Sequence, residues 1–538
     1  MKYKLYILLI VAFYINMQSG FTQPYRATGE NLNLALLAKT PQKIKLSQRS
    51  FMSLPESYSL EKYCPTPGNQ GQYGTCTAWA SAYGVATILY AKAHNITDKA
   101  MINKYAFSPS FLYSLIKDAA DNDCKGGSST IDALVKLTEL GDALLTTVPY
   151  GCGVYISDAA KSEAANYKIN DGIVLFGAKG LFDKDKFYKP DEEAVELVKK
   201  SLTEGSPVSI SFRLPESFFY IKTAVWTPVL TENIADSKWE HNIHAMCIIG
   251  YDDKIEGGAF RILNSWGTAW ADGGKVWIKY TDFAKWCLIA LQPYGNPYSK
   301  IPDEFKTPEP KPEPTPVPKP EPKPVPIPIP EPKPMPVPTP EPKPTPITNS
   351  ELSGSIEFKL NSGDDMPVNR ISSRNLVVEQ EKAAKEDLVA YTMMNSYTSG
   401  TKFRFYMNID KEAYIYAFAT DLSGKINKIL PFDDLTSTHV GSNTVVAFPS
   451  DTKIIKLDEN RGVDYLLILY SKEKLNMDDM LTAMTNKQGG LSAKIMSALG
   501  SKLTKKEDVK YNSSNVGFTV NENAAGSIVP IMVEIKHN

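Results

Sequence analysis

Apolar side chains recur after Thr75 at Ala78, Trp79, Ala82, Tyr83, Ala86, Leu89 and Tyr90. This helical spacing predicts a helix with a broad buried face and Thr75 at its N-cap. Strand-like apolar runs follow at 245–251, 260–263 and 275–280. Helices early and strands late predict an α+β domain over residues 54–300. Beyond residue 350 alternation takes over. Phe403, Phe405, Met407 and Ile409 share one face of a strand, and the runs 413–420 and 426–430 flank a Ser423-Gly424 turn signal. Further runs at 444–448, 465–470, 516–520 and 528–535 extend the pattern, and a helical insert at 478–499 is broken at Gly489-Gly490. A β-sandwich-like domain of roughly immunoglobulin size is predicted for residues 350–538.

Between the two patterns, proline occupies every second position from Pro308 to Pro346. Each proline lacks a backbone donor and fixes φ, so neither helix nor sheet can form there. A linker over residues 301–349 is predicted, extended and on the order of 100 Å long at about 3.1 Å per residue. A chain of 538 residues with 43% apolar content fits two or more globular units. Its 59 basic and 60 acidic residues leave no footprint for nucleic acid or an anionic membrane, and neither partner is expected. Met1-Lys2-Tyr3-Lys4 sets positive charge before an apolar run from Leu5 to about Asn16, followed by Ser19-Gly20-Phe21-Thr22-Gln23. The run is shorter than the about 20 apolar residues of a membrane span. Residues 1–23 therefore read as a signal peptide, which implies export to the periplasm, cell surface or medium. Residues 24–53 are left as a short pro-segment or N-terminal extension.

The six cysteines are Cys64, Cys76, Cys124, Cys152, Cys247 and Cys287. Cys76 falls in the first turn of the predicted helix, where unpaired N–H groups and the helix dipole favour a thiolate. If Cys76 stays free, at least one other is unpaired, and Cys247, inside an apolar run, behaves there as a small hydrophobe. The remaining four allow up to two disulfides in three connectivities. Of the five histidines, His244 opens the apolar run His244-Ala245-Met246-Cys247-Ile248-Ile249-Gly250-Tyr251, and His241 is its rival. His94, His439 and His537 stand in no comparable setting. His241 and His244 alone do not make a metal site, and neither a metal nor a cofactor is expected.

The stretch Asn69-Gln70-Gly71-Gln72-Tyr73-Gly74-Thr75-Cys76-Thr77-Ala78-Trp79-Ala80-Ser81 resembles the nucleophile segment of the papain family, with Gln70 six residues before Cys76. The run opened by His244 resembles the family's histidine strand. Ile262-Leu263-Asn264-Ser265-Trp266-Gly267, continuing to Gly273-Gly274-Lys275-Val276-Trp277, resembles its Asn-Ser-Trp-Gly segment. The resemblance spans residues 54 to 292 and implies a two-lobed papain-like cysteine peptidase acting on peptides or proteins. It implies Cys76 as nucleophile, His244 as general acid and base, and Asn264 orienting His244 under the cover of Trp266. Gln70 and the Cys76 N–H are implied as the oxyanion hole. Asp123-Cys124-Lys125-Gly126-Gly127 resembles a substrate-binding loop of the family, which makes Gly126 and Gly127 candidates for contact with a peptide backbone.

Three departures accompany the resemblance. Thr77 stands where the family has an aromatic residue, and Tyr73 where it has a cysteine. Without that cysteine, Cys124 is left to bridge Cys152. The family's long helical inhibitory prosegment is also missing. Two rival activities share the implied geometry, a silent peptide-binding protein and a thiol-dependent acyl transferase. Downstream, residues 403–430 resemble a domain of uncharacterised function in exported bacterial proteins. Its adjacent acids Asp433 and Asp434 read as turn residues rather than a calcium loop.

Overall fold

The computed structural model describes residues 26–177, 193–232, 242–296, 300, 352–371, 390–420, 426–488 and 491–538. The signal segment, the proline-rich linker, His241, the Ser423-Gly424 turn and the Gly489-Gly490 break lie outside the described residues.

The helix predicted after Thr75 is α1, residues 76–93. It is α-helical at Cys76–Ala78, π-helical over Trp79–Ala86 and α-helical again over Thr87–Ala93. Every residue of the middle stretch is buried, because it lies among α2 (Pro109–Ile116), α3 (Thr130–Glu139) and the neighbouring sheet. Gly84 permits that approach: a Cβ there would stand 3.1 Å from the Cβ of Cys247. Ser108 and Ser129 cap α2 and α3, accepting from Phe111 N–H and Ile131 N–H.

The sheet comprises β1 (Ser57–Ser59), β2 (Asp171–Gly177), β3 (Val208–Arg213), β4 (Val225–Trp226), β5 (Ile243–Asp252), β6 (Ala259–Leu263), β7 (Lys275–Lys279) and β8 (Cys287–Tyr294). Its order is β2-β8-β3-β5-β6-β7-β4, with β1 beside β5. The predicted strands at 245–251, 260–263 and 275–280 are thus β5, β6 and β7, except that Tyr280 already begins the helix Tyr280–Trp286. β5 is buried along nearly its whole length, since α1 covers it and helix α4 (Glu193–Thr203) also packs on it. Two lobes result, one helical and one built on the sheet, and Cys76 and His244 meet at their junction.

The distal region is a sandwich of β9 (Ser353–Leu360), β10 (Val368–Ile371), β11 (Ala390–Met393), β12 (Lys402–Ile409), β13 (Ala413–Thr420), β14 (Ile426–Leu430), β15 (His439–Val440), β16 (Thr444–Phe448), β17 (Ile455–Lys456), β18 (Gly462–Ser471), β19 (Val509–Tyr511), β20 (Val516–Val520) and β21 (Ile528–His537). One sheet runs β10-β11-β21-β18-β13-β14 with β15 on β13; the other runs β16-β12-β9-β20-β19 with β17 on β12. Phe403, Phe405, Met407 and Ile409 all face inward, packed in one core with Ile415, Ile468 and Ile531 of the opposite sheet. The helical insert forms α5 (Met477–Asn486) and α6 (Leu491–Leu499), which cover the outer aromatic face made by Tyr414, Tyr416 and Phe418.

Residues 40–51 join the two regions. Gln42 bridges to both Val174 and Thr436, and Ile44 and Leu46 are buried in the sandwich core. Ser47 N–H donates to Val445 O at 2.9 Å. Lys43 Nζ lies 3.0 Å from Glu204 Oε2 and donates to Gln292 Oε1 at 2.7 Å. Lys200 donates to Asn443 O at 2.8 Å, and Thr444 Oγ1 donates to Glu204 Oε1 at 3.1 Å. This buried cluster is tolerable because every charge in it is paired and hydrogen-bonded. Close by, His439 is sandwiched between Tyr294 and Tyr414, with ring centroids 3.7 Å and 4.1 Å away. Residues 24–53, expected as an extension, are therefore partly core.

Candidate active site

Residues from five separate segments converge at the start of α1. Thr75 holds the N-cap position, but its hydroxyl is engaged with Tyr150 OH at 2.7 Å instead of capping the helix. The sulfur of Cys76 accepts a hydrogen bond from Ala245 N–H at 3.5 Å, which places it beside the first residues of β5. His244 Nε2 is 2.8 Å from Asn264 Oδ1, and the same oxygen accepts from Ser265 N–H at 2.7 Å. Trp266 stacks on the imidazole with centroids 4.6 Å apart. His244 Nδ1 is buried and has no hydrogen-bond partner among the described residues. Gln70 is fixed by its own backbone pairing with Ser265 and by the Ser265 hydroxyl, 2.6 Å from Gln70 Oε1, while one N–H of its amide goes to Tyr73 O at 2.9 Å.

The cleft above these groups is filled by residues 26–31 of the same chain. Trp266 Nε1 donates to Ala27 O at 2.9 Å. Ser128 N–H donates to Gly29 O at 2.9 Å, and Asn31 N–H donates to Ser128 O at 2.8 Å. Glu30 N–H reaches Ile243 O on the opposite lobe at 3.3 Å. The chain passes so close to the floor that a Cβ on Gly29 would stand 2.2 Å from Gly74 O. Gly126 and Gly127 take part unequally. Gly126 O accepts from Asn31 Nδ2 at 2.8 Å, but Gly127 N–H is already held by Tyr113 OH at 3.1 Å, so backbone pairing falls on Ser128.

Covering the cleft sets its electrostatics. Cys76 and His244 are both completely buried. Burial pushes the Cys76 thiol up to about 12, and the nearby Glu30 charge pushes it the same way. Burial pulls His244 down to about 4 against the hydrogen bond that the ring makes to Asn264 Oδ1. The pair is consequently held as neutral thiol and neutral imidazole. Glu30 itself is buried, and its carboxyl is raised to about 7 by burial despite its hydrogen bonds to Thr77, Ser211 and Thr130.

The departures from the family pattern have structural partners. Tyr73 and Tyr150 meet edge to face, and Tyr150 also packs on Trp79. Cys124 is bridged to Cys152, with Cα atoms 5.8 Å apart, and Cys64, Cys76, Cys247 and Cys287 are buried outside that bridge. Only one of the two allowed disulfides therefore forms. The bridge closes the loop that carries Gly126, Gly127 and Tyr150. Cys152→Ser should lower the unfolding free energy of this domain by about 3 kcal/mol on loop-entropy grounds, read from its transition in denaturant. Asp433 accepts from Leu435 N–H, Thr436 N–H and the Thr436 hydroxyl, which is a turn arrangement. No cluster of three metal-ligating side chains occurs among the described residues.

Comparison with known proteins finds relatives of both regions of the chain. Residues 55–296 match the family model described as papain family cysteine protease, and residues 396–474 match a domain of unknown function, DUF4384. Cysteine proteinase 3 of Entamoeba histolytica is 22% identical over 248 residues, covering 45% of this chain and 68% of that protein. A cathepsin L-like peptidase of Aedes aegypti is 33% identical over 117 residues, covering 20% of this chain and 32% of that protein. Among solved structures, xylellain, a cysteine protease from Xylella fastidiosa, is 20% identical with a TM-score of 0.39, covering 51% of this chain and 97% of that one. Residues 55–296 of the chain form a papain-like cysteine protease domain.

Proposed function

We propose that the chain is an exported peptidase that hydrolyses peptide bonds through Cys76, His244 and Asn264, and that residues 26–31 hold it latent. The observation that carries this reading is the 2.8 Å contact of His244 Nε2 with Asn264 Oδ1 beside a sulfur bound to Ala245 N–H. With Nε2 engaged, Nδ1 is the nitrogen left to take the Cys76 proton. The thiolate attacks the substrate carbonyl carbon, and the oxyanion takes hydrogen bonds from Cys76 N–H and the Gln70 amide. His244 returns the proton to the leaving amine as the C–N bond breaks. Water, deprotonated by His244, then cleaves the thioester and regenerates the thiol. Export is supported by the charged and apolar pattern of residues 1–23 and by the Cys124 to Cys152 disulfide, a bond suited to oxidising compartments.

Labelling with an epoxysuccinyl thiol inhibitor tests the assignment. Full-length chain opened by Gly29→Leu should acquire one inhibitor mass on the peptide containing Cys76 and should cleave a fluorogenic peptide pool. Cys76→Ala in the same background should do neither. Cleavage surviving Cys76→Ala, or an opened chain that takes no label, would remove Cys76 from the mechanism.

A further inference from the structure

The Glu30 side chain fills a pocket whose walls come from three distant segments. Glu30 Oε1 accepts from Thr130 N–H at 3.1 Å, from the Thr130 hydroxyl at 2.9 Å and from the Ser211 hydroxyl at 2.7 Å. Glu30 Oε2 meets the Thr77 hydroxyl at 2.6 Å. Thr77 directly follows Cys76, so a backbone that sends a side chain into this pocket lies along the reacting sulfur. We propose that this hydroxyl-lined pocket is the specificity pocket of the peptidase, and that it selects substrates presenting a glutamine or glutamate side chain. The proposal rests on the peptidase reading above and adds the substrate class to it.

The hydrogen-bond pattern separates the two ends of the head group. Around Oε1 every partner can donate, which suits a carbonyl-type oxygen. The Thr77 hydroxyl has a single proton and a second acceptor, Ser128 O, at 3.0 Å. When that proton goes to Ser128, the Thr77 oxygen needs a donor from the pocket's occupant, and a carboxamide N–H or a carboxylic O–H supplies it. Glutamine meets this demand at any pH. Glutamate meets it while protonated, in keeping with the raised value of the Glu30 carboxyl, about 7. The Cys76 thiol, the His244 imidazole and the Tyr113 and Tyr150 hydroxyls, which also border the cleft, act on both substrates alike. A leucine would leave the Thr130 N–H without its partner and reduce the hydroxyls to the contacts they make with the walls, Thr130 Oγ1 with Ser211 Oγ at 3.0 Å and Thr77 Oγ1 with Ser128 O. A lysine would bring a charge to walls whose named residues carry none. Thr77 also explains why the space exists, because an aromatic residue there would occupy the volume that the carboxyl now fills.

The test uses full-length Gly29→Leu chain and fluorogenic peptides carrying Gln, Glu, Leu or Lys in turn at each position on the amino side of the cleaved bond. At one position Gln, and Glu below pH 7, should exceed Leu and Lys in kcat/KM by on the order of 10²-fold. Thr130→Val with Ser211→Val should reverse the order toward Leu. A second readout leaves the pocket walls native: Glu30→Gln in the otherwise wild-type chain should stay latent, whereas Glu30→Leu should show peptidase activity. Cleavage without preference for Gln or Glu, or a preference that survives the double variant, overturns the pocket while leaving the peptidase standing. An opened chain that neither cleaves any peptide nor takes label at Cys76 overturns the peptidase reading and the pocket with it.

Discussion

In the opened enzyme, His244→Ala should lower kcat/KM by on the order of 10⁴-fold or more, and His241→Ala should leave it unchanged. His244 is placed for both halves of the reaction, with Nε2 held by Asn264 and Trp266 stacked over the ring. Without the imidazole, the thiol must ionise near its unassisted value of about 8.5 and the leaving amine departs without a proton. The acid limb of the residual kcat/KM profile should therefore move up toward about 8.5 as the rate falls. Asn264→Ala removes only the positioning contact, so a smaller loss, on the order of 10- to 100-fold, is expected. Steady-state kinetics on a fluorogenic peptide from pH 4 to about 9 measures all three variants. Equal losses in His241→Ala and His244→Ala would reassign the base.

The second large effect is on latency. Gly29→Leu should raise the activity of freshly prepared full-length chain by on the order of 10²-fold, because over-packing and backbone strain each cost about 1–3 kcal/mol. The residue sits at φ +147°, which L side chains rarely adopt, and its Cβ would collide with Gly74 O. Acidity acts on the docked segment through two groups of opposite sign, Glu30 and His244. Docking raises the Glu30 carboxyl from its ordinary 4.5 to about 7, so the docked form keeps a proton that the free segment releases. The Glu30 contribution to docking is at full strength below about pH 4.5 and is lost as the pH climbs through 7, a swing on the order of 3 kcal/mol, whereas covering His244, lowered from its ordinary 6.5 to about 4, contributes in the opposite sense and is lost as the pH falls. At the domain junction, burial lowers His439, but Asp171, 3.5 Å from Nδ1, and Glu412, 3.0 Å from Nε2, hold it above its ordinary value. Its contribution is likewise present in acid and lost as the pH rises. The Glu30 and His244 terms nearly offset each other in wild-type chain between pH 5 and about 8, so the carboxyl is read by difference: relative to wild-type chain, Glu30→Gln should open more readily at pH 5 than at about 8, seen as faster nicking near Gly29. The same pH dependence in both chains would contradict the carboxyl argument.

The candidate site residues that the structure brings together are legible because each sits in a short contiguous segment: Gln70 with Cys76, His244 at the head of an apolar run, and Asn264 before Ser265-Trp266-Gly267. The distal strands were legible for the same local reason, as at Phe403, Phe405, Met407 and Ile409. β9 was passed over, although Ile356 and Phe358 alternate into the core. What could not be read is assembled across distance. Glu30, Thr77, Thr130 and Ser211 form one pocket from four segments with no shared periodicity, and each alone is an ordinary polar residue. His439 stood outside every motif, and its partners Tyr294, Asp171 and Glu412 come from both domains. The single local clue was Thr77, a small polar side chain where the family has an aromatic.

Ile44 and Leu46 complete the core of a sandwich whose own strands begin at Ser353, and Ser47 Oγ bonds Asp451 across 404 residues of sequence. During synthesis the N-terminal stretch must therefore wait, without its final partners, until the last domain has left the ribosome. The catalytic lobes can collapse before that time, but the strand that leads into their cleft is tethered at its far end only when the sandwich closes. Sealing of the cleft is thereby tied to synthesis of the sandwich: a product truncated before it would carry Cys76 under an unanchored cover.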